Sequence, residues 1–378
     1  MPLLAVAAVL VVLGATVAAA APAAPVTRCV LADPRLDEVS GMVVTPAGPA
    51  VVDDSGNATV VYTLAPDCSV ASARSVGVAG RDVEDLARGA DGTLWLADIG
   101  DNDRQRTTVA LIRLPMRGPA TVHRLVYPDG PHDAETLLLP ADGRPVIVTK
   151  DLGGRSGIYT TDAPPAGPSP TPLRHLGQLV VPLSSTDGGP IGPFGRGLVT
   201  GGALSADARV VAVRTYTDAW LYRVPGSGAG TADGAGTADG AGTADGVVAA
   251  LRSTPVDVPL PGEPQGEAVA FTTDGTLLSA GESTSGRAGG GTASLRAVPG
   301  AVGLAPAPGA EPSSAAPDTS APDTPAPDTS ASDTAGPVAA TGPPVGLVVA
   351  AMLVGVVVVG LLLRVWTRAV RRGPRGRP

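Results

Sequence analysis

Five times along this sequence a short apolar run, opened by a small or acidic group, is followed by a turn and a second apolar run. The first runs are Ser40-Gly-Met-Val-Val, Glu84-Asp-Leu-Ala, Glu135-Thr-Leu-Leu-Leu, Gly202-Ala-Leu-Ser and Glu267-Ala-Val-Ala-Phe. The second runs are Ala50-Val-Val, Leu94-Trp-Leu-Ala, Val146-Ile-Val-Thr, Val210-Val-Ala-Val and Leu277-Leu-Ser-Ala. Three of the intervening turns contain Asp-Gly, at Asp91-Gly92, Asp142-Gly143 and Asp274-Gly275, which suits the positive φ angles of tight hairpins. Further strands follow in most units, as in Val60-Val-Tyr-Thr-Leu, Val109-Ala-Leu-Ile-Arg-Leu and Ala219-Trp-Leu-Tyr-Arg-Val. Such repetition constrains the fold strongly, because one unit cannot bury its own apolar faces and must stack on its neighbours. Four antiparallel strands per repeat of roughly 45–65 residues describe a β-propeller blade. The reading is therefore all-β, a β-propeller with five blades counted and six left open; a β-sandwich is the alternative.

The fifth unit lacks an outer strand, and the N-terminal segment Cys29-Val-Leu can supply it and close the ring. Cys29 and Cys68, the two cysteines of the chain, would then lie in neighbouring blades. In an oxidising compartment they are expected to form a disulfide that locks the closure.

The ends carry targeting signals. Residues 1–24 contain an apolar run ending in small residues, the pattern of a signal peptide. Residues 25–300 hold the propeller, with a flexible Gly-Thr-Ala-Asp insertion at about 226–246. Residues 301–344 repeat Ala-Pro-Asp-Thr and read as a disordered stalk, too poor in apolar residues to build a core. Residues 345–363 are uncharged, mostly apolar and close to the roughly 20 residues that span a bilayer. A basic tail at 364–378 follows, which places the N-terminal side outside the cell. Just before the apolar stretch, Val338-Ala-Ala-Thr341-Gly342 resembles the sorting signal of class E sortases, with Val338 in place of the usual Leu. That resemblance implies cleavage between Thr341 and Gly342 and attachment to the cell wall, as an alternative to a permanent single-pass membrane anchor.

The net charge of −8 and the absence of a basic stripe with interleaved aromatics argue against nucleic-acid binding. Two sets of charged positions recur instead. One opens the inner strands: Glu84, Glu135 and Glu267, with Asp37, Glu38, Asp82, Asp85 and Asp133 beside them. Innermost propeller strands line the central channel, and carboxylates converging there repel unless they share protons or bind a cation. Hard oxygen ligands suit calcium. The other set follows each second strand: Asp54, Asp98, Lys150, Arg214 and Glu282. Lys150, the sole lysine, and Arg214 can hold an anionic ligand or neutralise the carboxylates. The densest local motif, Asp98-Ile-Gly-Asp101-Asn102-Asp103-Arg104, offers oxygen ligands in a tight loop; Asp101 and Asn102 join the candidate metal ligands, with a plain turn as the other reading. His132, in Tyr127-Pro-Asp-Gly-Pro-His132-Asp133, can be a base, a ligand or a rim histidine.

These motifs, with Gln265-Gly-Glu267-Ala and the strand ending at Glu282, resemble secreted actinobacterial propellers and, distantly, the SdiA-regulated and phytase-like propeller group, over about residues 28–300. The phytase-like resemblance implies calcium ions arranged around phosphate. No nucleophile elbow, zinc-ligand cluster or phosphate loop is present, and no organic cofactor is indicated. Two functions follow: a surface propeller that binds an extracellular ligand or partner, with calcium, or a calcium-dependent phytase-like or esterase-like hydrolase working at the central channel.

Overall fold

The computed structural model describes residues 22–54, 58–226, 242–284 and 291–305. Nearly all of the signal segment, most of the stalk, the apolar stretch at 345–363, the basic tail and the Thr341-Gly342 motif lie outside these residues. Among the described residues no helix is long and apolar enough to cross a membrane.

Strand β1 (Val26–Val30) opens the folded part. The first blade then consists of β2 (Val39–Thr45), β3 (Gly48–Asp53), β4 (Val60–Leu64) and β5 (Val70–Ser75), in that order from the inside out. The second is β6 (Asp85–Arg88), β7 (Leu94–Asp98), β8 (Val109–Leu114) and β9 (Thr121–Val126). The third begins with β10 (Ala134–Leu138), β11 (Val146–Thr149) and β12 (Arg155–Thr160). Before its outer strand, the short β13 (Thr171–Pro172) runs parallel to β9 and adds a fifth strand to the second blade. Strand β14 (Arg174–Val180) then completes the third blade. The fourth is β15 (Val199–Leu204), β16 (Val210–Thr215), β17 (Asp218–Arg223) and β18 (Val256–Pro259). The fifth is β19 (Gln265–Phe271), β20 (Leu277–Glu282) and β21 (Ser294–Val298), with β1 as its outer strand. Val26 stands opposite Ala297 and Val30 opposite Ser294, so the N-terminal strand supplies what the fifth unit lacked. The molecule is an all-β, five-bladed propeller.

The core is divided into five apolar layers, one between each pair of neighbouring blades. Val51 and Leu64 meet Leu278 and Leu295 at the closure, for example, and Val148 and Ile158 meet Val211 and Tyr222 between the third and fourth blades. A blade's middle strands are thus covered on both faces, which is why they read as unbroken apolar runs instead of alternating ones. Every residue of β16 is buried, whereas the outer strand β14 is largely exposed. Each fully buried Leu, Ile or Val contributes about 1.5–3 kcal/mol.

Inner strands β2, β6, β10, β15 and β19 pack around the central channel. Gly41 on β2 sits so close to β6 that a Cβ there would overlap the Asp85 and Leu86 backbone. Side chains bridge the same junctions: Ser40 Oγ donates to the Glu84 carbonyl at 2.6 Å, and Thr200 Oγ1 to the Gly266 carbonyl at 3.0 Å. Asp85 goes further. One of its oxygens accepts the Leu86 N–H and the other the Leu137 N–H, both at 2.7 Å, tying β6 to β10 at the junction of the second and third blades. The Cys29–Cys68 disulfide, with Cα atoms 5.8 Å apart, joins β1 of the fifth blade to the β4–β5 turn of the first.

The turns between first and second strands share one chemistry. Asp91, Asp142 and Asp274 each accept the N–H two residues on, and the glycine between has φ of 79°, 75° and 82°. The fourth blade uses the same turn without glycine: Asp207 accepts the Arg209 N–H, and Ala208 takes φ of 54°.

Part of the insertion read as flexible is ordered. Helix α1 (Ala244–Leu251) is capped by Thr243, whose Oγ1 accepts the Gly246 N–H at 3.1 Å. Its Val247, Val248 and Leu251 pack into the layer between the third and fourth blades, and Asp245 pairs with Arg144 at 2.7 Å. The folded body also continues to Ala305, past the boundary read at 300, because Ala301 and Ala305 are buried against the fifth blade and its neighbour.

Candidate functional site at the channel mouth

Both recurring sets of charged residues lie at one end of the channel. The inner strands start there and the second strands end there, as the pairings Ala134–Thr149, Gln265–Glu282 and Val39–Asp53 require. Glu84, Glu135 and Glu267 are nearly inaccessible, at 3%, 1% and 3% exposure. Lys150 is their counter-charge. Its Nζ donates to Glu135 Oε1 at 2.6 Å and lies 5.3 Å from the centre of the Tyr216 ring.

One ammonium does not neutralise this mouth. Burial, then the charges of Glu135, Asp82 and Asp54, raise the Glu84 pKa well above the usual carboxylate range. Burial and then Glu282 and Glu135 do the same to Glu267. Glu135 is raised to about 7 by burial, with Lys150 opposing the rise. Asp54 is raised to about 8 by burial and by Glu282, Glu38 and Asp82, and Asp53 to about 7 by burial and by Glu38 and Asp37. Burial works against the charge on Lys150, but Glu135, Tyr216, Glu267 and Glu84 outweigh it and hold the lysine pKa well above its ordinary value. Several of these buried carboxyls therefore hold protons up to near-neutral pH.

Some of its oxygens have no donor. Glu135 Oε2, Glu267 Oε2, Asp53 Oδ1 and Asp54 Oδ1 are buried without a hydrogen-bond partner. Glu267 Oε1 accepts only from the Gln265 amide, at 3.2 Å. These atoms have the hard-oxygen chemistry that calcium takes. Among the described residues, however, no three His, Cys, Asp or Glu side chains are already gathered as a metal cage.

Other candidate residues are placed differently. Arg214 has no solvent exposure; it bonds Glu263 at 2.6 Å and Ser279 Oγ at 3.0 Å, inside the junction of the fourth and fifth blades. Asp98 pairs with Arg106 at 2.9 Å and accepts the N–H groups of Arg81 and Asp82. Asp101 accepts the N–H groups of Gln105 and Arg106, so the Asp98–Arg104 loop is folded about the Arg106 guanidinium; Asn102 is exposed on it. Glu282 joins the mouth and forms a backbone bridge with Glu38. His132 sits in an aromatic cluster with Tyr127 and Tyr159, 3.0 Å from Asp129 and 2.9 Å from the Tyr159 hydroxyl. Tyr216, in the polar run Arg214-Thr-Tyr216-Thr-Asp218, joins the mouth from just past the end of β16, the position that delivers side chains there from the other blades.

No family model matches the chain, and no curated protein matches it. Among solved structures, similar ones include a luciferin-regenerating enzyme (14% identity, 69% of this chain and 77% of that one, TM-score 0.36). A gluconolactonase from Xanthomonas campestris matches at 13% identity over 69% of this chain and 71% of its own, TM-score 0.36. The PQQ-bound aldose sugar dehydrogenase from Streptomyces coelicolor matches at 12% over 74% and 99%, TM-score 0.37. At these identities and scores the likenesses carry nothing about activity, and the five-bladed architecture rests on this chain's own strand pairing.

Proposed function

We propose that this chain is a surface propeller held outside the cell by residues 345–363, and that its acidic channel mouth binds a cation, calcium, together with an extracellular ligand. The observation that carries the reading is the excess of buried carboxylate over Lys150, with Glu135 Oε2 and Glu267 Oε2 left without donors. Glu84, Glu135 and Glu267 would supply oxygens to the ion, with Asp54 and Glu282 at the same mouth. Calorimetric titration of the full chain with calcium tests this. Saturable heat is expected, together with a rise in melting temperature, and both should be lost in Glu267→Gln. Absence of heat and of any melting shift in the unmodified chain would remove the proposal.

A second reading, a calcium-dependent hydrolase, has one observation in its favour. Glu135 is raised to about 7, where a general acid or base works best, and it touches Lys150 beside the Tyr216 ring. Calcium-dependent hydrolysis of p-nitrophenyl phosphate or acetate, abolished in Glu135→Gln, is the expected result; no turnover above background in the intact chain would dismiss it.

A further inference from the structure

The first and second blades part from each other at the end of the molecule away from the carboxylates. The turn between β2 and β3 and the turn between β6 and β7 border a groove there, of about 450 Å³. Ala50, Val61, Leu94 and Met116 give it an apolar lining. Each blade also brings a guanidinium: Arg74 from the outer strand β5, and Arg88 from the end of the inner strand β6. Arg74 Nη2 donates to the Pro115 carbonyl at 2.6 Å, which holds this side chain against the second blade. Arg88 Nη2 and Met116 Sδ lie 3.5 and 3.8 Å from the point where a Cβ on Gly92 would stand. Met116 thus has Arg88 beside its sulfur and Arg74 bonded to the residue before it.

These two charges are not cancelled inside the groove. Asp91 is the one carboxylate in its lining, and it is engaged by the Thr93 N–H at 2.9 Å, the Thr93 hydroxyl at 2.8 Å and Arg113 at 3.4 Å. Among the described residues neither Arg74 nor Arg88 has an ion-pair partner, and Arg88 has no hydrogen bond. Two such guanidiniums on an apolar floor, in a chain of net charge −8, are complementary to an anion from outside. A planar guanidinium takes a carboxylate through two parallel hydrogen bonds. We infer that this groove binds a small organic diacid, one carboxylate on Arg88 and the other on Arg74, with its alkyl spacer against Met116. The site lies apart from the acidic mouth and does not rest on calcium.

The test is a calorimetric titration of the full chain with adipate and with hexanoate, in calcium-free buffer at low ionic strength, where exposed charges are least screened. One adipate site per chain is expected, and hexanoate, with a single carboxylate, should bind about tenfold more weakly. Arg88→Gln and Arg74→Gln should each weaken adipate by about tenfold. Arg74→Gln also gives up the bond to Pro115, so its melting temperature is measured alongside; Arg88→Gln removes no bond within the fold and carries the test by itself. Ala47→Trp fills the groove from an exposed turn position and should abolish adipate binding at an unchanged melting temperature. No adipate binding to the intact chain, or binding that survives Ala47→Trp, overturns the site. Adipate that binds no more tightly than hexanoate, or equally well to Arg88→Gln, overturns the diacid.

Discussion

Arg214 on β16 and Glu263 before β19 form an ion pair of 2.6 Å, at 0% and 6% side-chain exposure, that joins the fourth blade to the fifth. Gly266 leaves the space for it, because a Cβ there would overlap the guanidinium. Removing Arg214 leaves the buried Glu263 with only the more distant Arg296, at 3.4 Å, as its counter-charge. Arg214→Met should therefore cost about 3–5 kcal/mol in urea denaturation. Arg214→Met combined with Glu263→Leu should recover much of that loss. A single-variant loss below about 1 kcal/mol would show that the pair does not hold the junction.

The pH dependence of stability follows from Asp54 and Asp53. Their folded pKa values, about 8 and about 7, lie above the ordinary 3.8. Between those limits the folded chain keeps protons that the unfolded chain releases. The stabilisation is thus complete below about pH 3.8 and is lost as pH rises through about 7 to 8. Melting temperatures measured in chelator should fall over this window, and Asp54→Asn should flatten the fall. A melting temperature that rises from pH 5 to pH 8 would contradict the burial of these carboxylates.

Much of this architecture is legible in the sequence because a propeller repeats its own rules. Val146-Ile-Val-Thr and Val210-Val-Ala-Val stand out as unbroken apolar runs because they are covered on both faces. The Asp-Gly turns mark the hairpins, and the missing outer strand of the fifth unit points to the segment around Cys29. What stays hidden depends on partners distant in the chain. A charged residue at the end of β16 reads equally as a ligand contact and as a buried strut, and only Glu263, 49 residues on, decides for Arg214. Helix α1 hides inside a low-complexity repeat because Thr243 and Asp245 belong to the repeat and also start the helix. Asp85 looks like one more channel carboxylate, yet its oxygens serve backbone N–H groups.

Ala208 is the exception to the Asp-Gly rule. A left-handed conformation costs a non-glycine residue about 1–2 kcal/mol, while glycine adds about 0.4–1 kcal/mol of unfolded-chain entropy. Ala208→Gly should therefore raise stability by about 0.5 kcal/mol, read as a higher urea midpoint at unchanged slope. The same change at Ala203, within β15, should lower it.

The disulfide spans 39 residues of sequence. In the chain-entropy account, closing a loop of that length stabilises the fold by about 4 kcal/mol. Replacing both Cys29 and Cys68 by Ala should cost about that much, and hydrogen exchange should rise first in β1 and β21. Uniform exchange across all blades would place the weak point elsewhere.

The pairing of β1 with β21 gives the ring a seam. The strand synthesised first finds its partner only when nearly all of the folded body has been made. Until then β1 lacks its ladder partner, and the fifth blade, once made, still needs β1 as its outer strand. Moving β1 to follow β21 through a short linker would remove the wait. Such a permuted chain should need the Cys29–Cys68 bridge far less, because its last blade would then be built from one continuous stretch.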